Sequence, residues 1–517
     1  MNRFRKVMSV TAALTVCLTS LSLGTENVFA AINCGDANQN GTVNAADVAA
    51  VSHALLGKEK LSSMGYQLAE LDLNERVDIV DELLLKRYTA KLIGQKDFPA
   101  YVPDLPPIPQ GAVYASASGK SGASGTESDP YDIATAVTKI AAGETVYCAA
   151  GTYKLSSTLK IDESNSGTSS QRKTISSYNG PVIFDFSALS VSGSNRGVSM
   201  EGSYWHWYGI TIQKAGDNGM ILAGDENIIE MCVFQNNQDT GLQLSRANTK
   251  YSSLDQWPTN NLILNCTSRN NCDDATMENA DGFAAKLTCG NGNIFDGCMG
   301  YNNSDDGWDL YAKSETGPIG VVTIKNCIAF RNGYTEDGRG YGDCDGNGFK
   351  LGGAGVGTAH VLENCMSFEN LHHGFTDNNN PKFGSLKNCT SYQNAVGGSK
   401  ANFQMDRCTA GSFSGLLSYI GKSSCGSDKF NGNISNAVFY NSKKYYSVTS
   451  STSVSNSKAG SETSSPKDSD FASVSVPAMN QVDFHTYWRN SDGSITTKGF
   501  MMPTASAYSN LGARFKY

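Results

Sequence analysis

The chain has 517 residues, more than one domain usually holds, and a formal net charge of −8 at pH 7. That excess of carboxylates repels polyanions over the surface as a whole, so nucleic acid is excluded as an expected partner. An acidic polymer could bind only where a local cluster of cations or a metal ion reverses the field.

Residues 1–30 read as a secretion signal. Arg3, Arg5 and Lys6 precede a short apolar stretch, and Val28-Phe29-Ala30 forms a small-residue cleavage site. No later stretch is long and apolar enough to span a bilayer, so no membrane partner is expected and the expected location is extracellular. Fourteen cysteines in an exported chain would ordinarily suggest disulfides.

Residues 31–95 form a small unit of their own. Asp36, Asn38, Asn40, Asn44 and Asp47 place oxygen-bearing side chains at positions 1, 3, 5, 9 and 12 of a loop, and Gly41 at position 6 allows its sharp turn. A second copy runs through Glu70, Asp72, Asn74, Asp78 and Asp81 into the helical run Leu83–Leu92. Paired calcium loops of EF-hand type, each leading into a helix, resemble a type I dockerin, the module that docks cellulosomal enzymes onto cohesins. The resemblance implies calcium ligands at Asp36, Asn38, Asn40, Thr42 and Asp47, and at Glu70, Asp72, Asn74 and Asp81. It also implies a scaffoldin cohesin as partner and association with a cellulosome. Glu75 departs from the pattern, because the second loop should carry Gly there, and Glu70 replaces the usual Asp.

Pro99, Pro103, Pro106, Pro107 and Pro109 mark residues 96–112 as a stiff linker. From residue 113 to 517 the chain is rich in Gly, Asn, Ser and short β-branched runs, with little helical periodicity. Asp132–Ala142 is the predicted exception, a helix suited to capping an open end. Short strands such as Leu262–Leu264, Val321–Ile324 and His360–Leu362 precede a repeated cysteine.

Six segments then share one pattern: Cys, Asn five residues later, then Gly followed by a bulky residue. The Cys/Asn pairs are 232/237, 266/271, 298/303, 327/332, 365/370 and 389/394, and the glycines are Gly241, Gly282, Gly307, Gly348, Gly374 and Gly398, the last without the bulky follower. A repeat of this length signals a solenoid, and one polar ladder per turn predicts an all-β, right-handed parallel β-helix. One Asn per rung fits amides that hydrogen-bond each other inside a bend. The repeated cysteines are expected as inward free thiols, with disulfides as the alternative. Residues 411–517 lose the Asn register and are expected to form final coils and a C-terminal cap.

Neighbouring parallel strands lie about 4.8 Å apart, so equivalent positions on successive coils are close neighbours. Just before the repeated Gly stand Asp281 and Asp306, with Asp305 one place further back; two places after it stand Asp309 and, on the next coil, Lys350. Such convergent carboxylates repel each other unless a cation intervenes, and hard oxygen ligands suit Ca²⁺. Between Asn and Gly an ordinary coil holds three residues (Asn303 to Gly307), whereas the coil before holds ten (Asn271 to Gly282) and the coil after fifteen (Asn332 to Gly348). Two long loops beside a short rung predict a walled cleft with carboxylates on its floor.

Ala280-Asp281-Gly282-Phe283, Asp305-Asp306-Gly307-Trp308-Asp309 and Gly348-Phe349-Lys350-Leu351 resemble the pectate lyases of polysaccharide lyase family nine. The resemblance implies a catalytic Ca²⁺ on Asp281, Asp305, Asp306 and Asp309, with Lys350 as base in β-elimination on polygalacturonate. A lysine base must be neutral, which predicts an alkaline optimum, and the catalytic domain is expected to act as a monomer. Lys286, Lys313, Arg331 and Arg339 are candidate substrate contacts, Lys286 also the second candidate base. Two other readings stay open: a β-helical polygalacturonase using Asp305 and Asp306 as acid and base, and a non-catalytic pectin-binding β-helix.

Overall fold

The computed structural model describes residues 112–455, 459–490 and 492–515, and, towards the N-terminus, 35–38, 42–58, 61, 66, 68, 69, 71, 77 and 79–92. The expected secretion signal, the linker through residue 111, and Asn40, Glu70, Asp72 and Asn74 lie outside the described residues. The chain divides into two compact units, Met1–Pro106 and Pro107–Tyr517. Among the described residues no helix is long and apolar enough to cross a membrane.

In the N-terminal unit, helix Ala45–Leu55 starts at Asn44, whose side chain accepts from the Ala46 amide at 2.8 Å. Asp47 closes the reciprocal cap through the Asn44 amide (2.7 Å) and also accepts from the Asn38 amide (3.1 Å). Asp81, at the head of the second helix (Ile79–Thr89), repeats this by accepting from Leu71 at 2.6 Å. Asp36, Asp47 and Asp81 are all buried, an arrangement that needs compensating positive charge or donors. Burial raises the Asp47 pKa despite its two backbone donors.

The larger unit is the expected parallel β-helix. Each coil contributes a strand to three parallel ladders, shown by one typical coil: Leu262–Leu264, Thr267–Arg269 and Phe283–Ala285. The first bend carries the cysteine and the second the asparagine. Both bends need a left-handed residue, as at Asn265 (φ 53°) and Asn270 (φ 55°), and asparagine tolerates that conformation best among non-glycines. The asparagine ladder is continuous: each Nδ2 donates to the next Oδ1 from Asn237 through Asn271, Asn303, Asn332 and Asn370 to Asn394, at 2.8–3.0 Å. Among the described residues all twelve cysteines are free and buried, and the ladder thiols sit inward as expected.

The bulky residue after each glycine fills the core. Phe283, Trp308, Phe349, Phe375 and Phe403 stack with ring centroids 4.8–5.1 Å apart. The glycine itself is required by close approach: a Cβ on Gly307 would lie 2.6 Å from the Gly348 carbonyl oxygen and 2.8 Å from Asn332 Nδ2. The predicted N-terminal helix spans Ile133–Lys139, capped by the Asp132 side chain on the Thr135 amide at 2.9 Å.

The C-terminal region differs from the expectation. Strands Gly411–Tyr419 and Lys429–Asn441 extend the helix, and Lys444–Val448, Thr452–Ser455 and Ser461–Thr463 finish it in antiparallel fashion. Residues 468–490 and 492–515 do not cap the end; they return along the flank as a strap. Arg489 Nη2 donates to the Cys266 carbonyl at 3.1 Å, and the Arg514 carbonyl accepts from Asn364 at 2.9 Å. The physical reason is an outward row in register, Tyr301, Phe330, Phe368, Tyr392 and Tyr419, whose exposure would be costly. Phe484, Trp488 and Phe500 cover it, with Trp488 centred 5.7 Å from Phe330 and Phe500 4.8 Å from Phe368.

Candidate active site

The third ladder, made of the strands that follow each glycine, carries the site on its outward side. Asp309 pairs in register with Ala284 before it and Lys350 after it. Asp281 and Asp306 precede the glycines of adjacent coils, and the Gly282 amide donates to the Asp306 carbonyl at 2.8 Å. All four aspartates are buried, with Asp281 and Asp306 fully so.

One oxygen from each of Asp281, Asp305 and Asp306 lies within 4.8 Å of the others. Oxygens on opposite sides of one Ca²⁺ stand roughly 4.6–5.2 Å apart, so the spacing fits that ion. Two further observations agree with it. Asp309 Oδ1 is buried with no hydrogen bond, and Asp306 Oδ2 makes none either, although Lys350 Nζ stands 3.1 Å from it. Asp309 Oδ1 thus keeps its lone pairs available to a cation, while Asp306 Oδ2 already faces an ammonium. Asp309 borders the three-residue group, its Oδ2 facing Lys286 at 3.5 Å and Lys350 at 3.9 Å.

The remaining oxygens are fixed by backbone. Asp305 Oδ2 accepts from the Asn279 amide (2.9 Å), on the first long loop, and its Oδ1 from the Asp345 amide (2.7 Å), on the second. Asp305 thereby ties together the two loops predicted as cleft walls. Arg339 on the second loop adds an ion pair to Asp274 on the first, at 2.6 Å. Asp306 Oδ1 accepts from the Asn347 backbone (2.6 Å) and side chain (2.9 Å). Burial raises the pKa of Asp281 and Asp306 well above the usual carboxylate range, Lys286 opposing this at Asp281 and Lys350 at Asp306.

Two ammonium groups enter the cluster. Lys350 Nζ lies 3.1 Å from Asp306 and 2.8 Å from Asp345. Burial works to lower its pKa, but the carboxylates of Asp306, Asp309, Asp305 and Asp345 outweigh it and hold the ammonium protonated. Lys286 is buried against Asp281 at 2.6 Å, and its pKa is likewise raised by the carboxylates against the pull of desolvation. Tyr311 flanks the site, its ring centroid 5.9 Å from Lys350 Nζ.

The structure thus brings Asp281, Asp305, Asp306, Asp309, Lys350 and Lys286 together. It does not bring the other candidate cations to them. Lys313 lies exposed in the turn that the Gly317 amide closes onto its carbonyl. Arg331 is bound to Glu369 at 2.7 Å, and Arg339 is taken up by Asp274 and Asp337. Asp345, Asn347 and Tyr311 are not among the residues expected from the sequence. Asn347 had a signal: it immediately precedes Gly348, in the register of Asp281 and Asp306.

Residues 113–411, more than half of the chain, match the family described as Pel9A-like, right handed beta helix region. The chain belongs to this family. Residues 34–90 match the type I dockerin domain, so both resemblances drawn from the sequence are borne out. A relative called pectate lyase L, from Paenibacillus polymyxa (strain SC2), is 45% identical over 304 residues, covering 58% of this chain and 66% of its own. Another pectate lyase L, from Thermoclostridium stercorarium, is 43% identical over 291 residues, covering 56% of this chain and 23% of its own. The chain therefore spans just under two thirds of the one relative and about a quarter of the other. Among solved structures, the crystal structure of pectate lyase Pel9A aligns at a TM-score of 0.59 and 25% identity, covering 76% of this chain and 89% of that one.

Proposed function

We propose that the protein is a secreted, calcium-dependent pectate lyase that cleaves polygalacturonate by β-elimination and is carried on a cellulosome by its dockerin. The observation that carries the reading is the meeting of Lys350 with a buried aspartate group on successive rungs of one ladder. Family membership and the names of the relatives support the substrate class.

Asp281, Asp305, Asp306 and Asp309 would hold the calcium ion. When bound there, Ca²⁺ withdraws charge from the C5 carboxylate of a galacturonate and, by offsetting the aspartates, lowers the proton affinity of the neighbouring amine. Lys350 Nζ then takes the C5 proton. The C5–H electron pair forms the C4–C5 double bond, and the glycosidic oxygen leaves from C4 with its bonding pair, to be protonated from solvent. Asp306 and Asp345 stabilise the ammonium that results, at 3.1 and 2.8 Å. The wall loops, tied through Asp305, would flank the reacting unit.

Asp305 is poorly suited to act as a hydrolytic acid or base, because both its oxygens already accept backbone amides. For the N-terminal unit, the buried Asp36, Asp47 and Asp81 support calcium loops that order a cohesin-binding surface.

Incubation with polygalacturonate, with and without calcium, tests the reading through the ultraviolet absorbance of an unsaturated product. Calcium-dependent growth of that absorbance is expected. Reducing ends appearing without it would replace the lyase by a hydrolase.

A further inference from the structure

The outward row containing Asp309 and Lys350 does not end at the site. Its register continues from Lys350 through Thr376 and Gln404 to Lys429, one residue per coil. Inward neighbours Phe375, Phe403, Met405 and Phe430 are buried in the core, which leaves these alternate side chains facing out. At about 4.8 Å per rung, Lys350 and Lys429 stand roughly 14 Å apart. That rung spacing is close to the advance of one sugar along an extended pyranoside chain.

Positive charge gathers on this side. Lys400 precedes the Phe403 strand, and its carbonyl accepts from Gly426 at 2.6 Å; His373 Nδ1 next to it accepts from the Ala401 amide at 3.1 Å. Lys400 and Lys429 both act on His373, whose pKa is depressed to about 3, first by burial and then by these cations. Among the described residues neither lysine has a carboxylate within ion-pair distance, unlike Lys286, Lys350, Lys387 and Lys444. Lys429 is exposed and Lys400 half-buried.

The other direction along the row is different. Upstream of Asp309 the same register carries Ala284, Gln243 and Ile221, and the adjoining bends hold Asp217 and Asp239. Only at the far upstream end does another lysine, the exposed Lys160, occupy the row. A polyanion laid along the helix axis thus meets buried row positions flanked by Asp217 and Asp239 on one side of the aspartate group; on the other it meets Lys400 and Lys429, with Asp406 as a nearby carboxylate that already accepts from the Gln404 side chain.

We propose that the coils downstream of Lys350 form an extended binding face for consecutive carboxylates of an anionic polysaccharide, with Lys400 and Lys429 as direct carboxylate contacts and Thr376 and Gln404 as its polar floor. This rests on the proposed function for the substrate class, and it adds a direction: the bound chain reaches over the downstream coils, so cleavage falls near one end of the bound stretch.

The test uses the full chain bearing Lys400→Ala and Lys429→Ala together. With exposed ion pairs worth up to about fivefold each, KM for polygalacturonate should rise roughly two- to tenfold while kcat is unchanged. KM for the shortest cleavable oligogalacturonate should stay as it was. The difference on the polymer should shrink as salt is added. Lys160→Ala, on the same row, should leave all three quantities unmoved. Equal KM changes on short and long substrates, no change from the double variant, or an equal effect from Lys160→Ala would overturn the proposal. Calorimetric binding of long oligogalacturonates separates the two readings. A wild-type protein without lyase activity whose affinity nonetheless falls in the double variant would sink the enzyme assignment and leave the binding face standing.

Discussion

Two outward rows run side by side along the same coils and have met opposite fates. Tyr301, Phe330 and Phe368 face out from the ladder after the cysteine bend and are buried under the C-terminal strap. Asp309 and Lys350 face out from the ladder after the glycine and sit at the base of the two wall loops, with little surface left exposed. The backbone treats the two rows alike, since register alone brings each set together. Side-chain chemistry then decides: an aromatic row costs free energy until something covers it, whereas a charged row costs free energy once something does. The strap therefore runs along one flank, and the wall loops rise around the other, tied to each other by Asp305 and the Arg339–Asp274 pair.

Exchanging roles between the rows should fail in different currencies. Lys350→Met should lower kcat on polygalacturonate by about 10²–10⁴-fold, the usual worth of a positioned base, measured on folded protein saturated with calcium, whose charge replaces the ammonium lost beside Asp306 and Asp345. Wild-type turnover in that variant would end the assignment of Lys350. On the other flank, Trp488→Ala removes a ring packed on Phe484, Phe330 and Phe500 and should cost about 3–5 kcal/mol. Calorimetry should show the loss as an earlier transition of the strap and its coils, with specific activity of the folded fraction retained. A stability change without that pattern would mean the strap is not an independent cover.

The rows also differ in how far they could be read from the sequence. The glycine that closes each coil fixes a counting origin, and counting from it aligned Asp281, Asp306, Asp309 and Lys350 because coil geometry makes equivalent positions neighbours. The asparagine ladder and inward cysteines follow from the same periodicity. The strap obeys no period: Arg489 reaches Cys266 and Arg269 reaches Asp483 across more than two hundred residues, and nothing local in residues 468–515 announces a partner. Ion pairing was equally opaque. Arg331 and Arg339 lie near the cleft coils in sequence, yet Glu369 and Asp274 capture them, because counterion choice depends on side-chain reach rather than register. Asp345 shows the converse, a residue inside an irregular loop that ends 2.8 Å from Lys350.

A subtler contrast lies inside the charged row, where Lys286 is bound to Asp281 at 2.6 Å and faces Asp309 at 3.5 Å. In the ion-free protein this ammonium offsets buried carboxylates; once calcium enters, it competes for the same oxygens. Lys286→Gln should therefore destabilise the calcium-free protein by about 2 kcal/mol, the scale of a lost hydrogen bond to a charged group. The same change should raise calcium affinity and enlarge the calcium-induced gain in Tm. Equal losses with and without calcium would make Lys286 a purely structural partner.

The smallest expected effect belongs to Asp305, the residue that joins the two walls. Asp305→Asn keeps one carbonyl acceptor but turns an N–H₂ toward either the Asn279 or the Asp345 amide, so one wall loses its anchor. The net loss should be about 1 kcal/mol, because the freed amide sits at a loop edge where water can replace the carboxylate. Hydrogen exchange separates the wall function from ion binding: the amides of Asn279 and Asp345 should lose protection even in saturating calcium, while the Asn347 amide, held by Asp306 at 2.6 Å, keeps its own. Protection restored fully by calcium would show that the ion, rather than the carboxylate bridge, holds the walls in place.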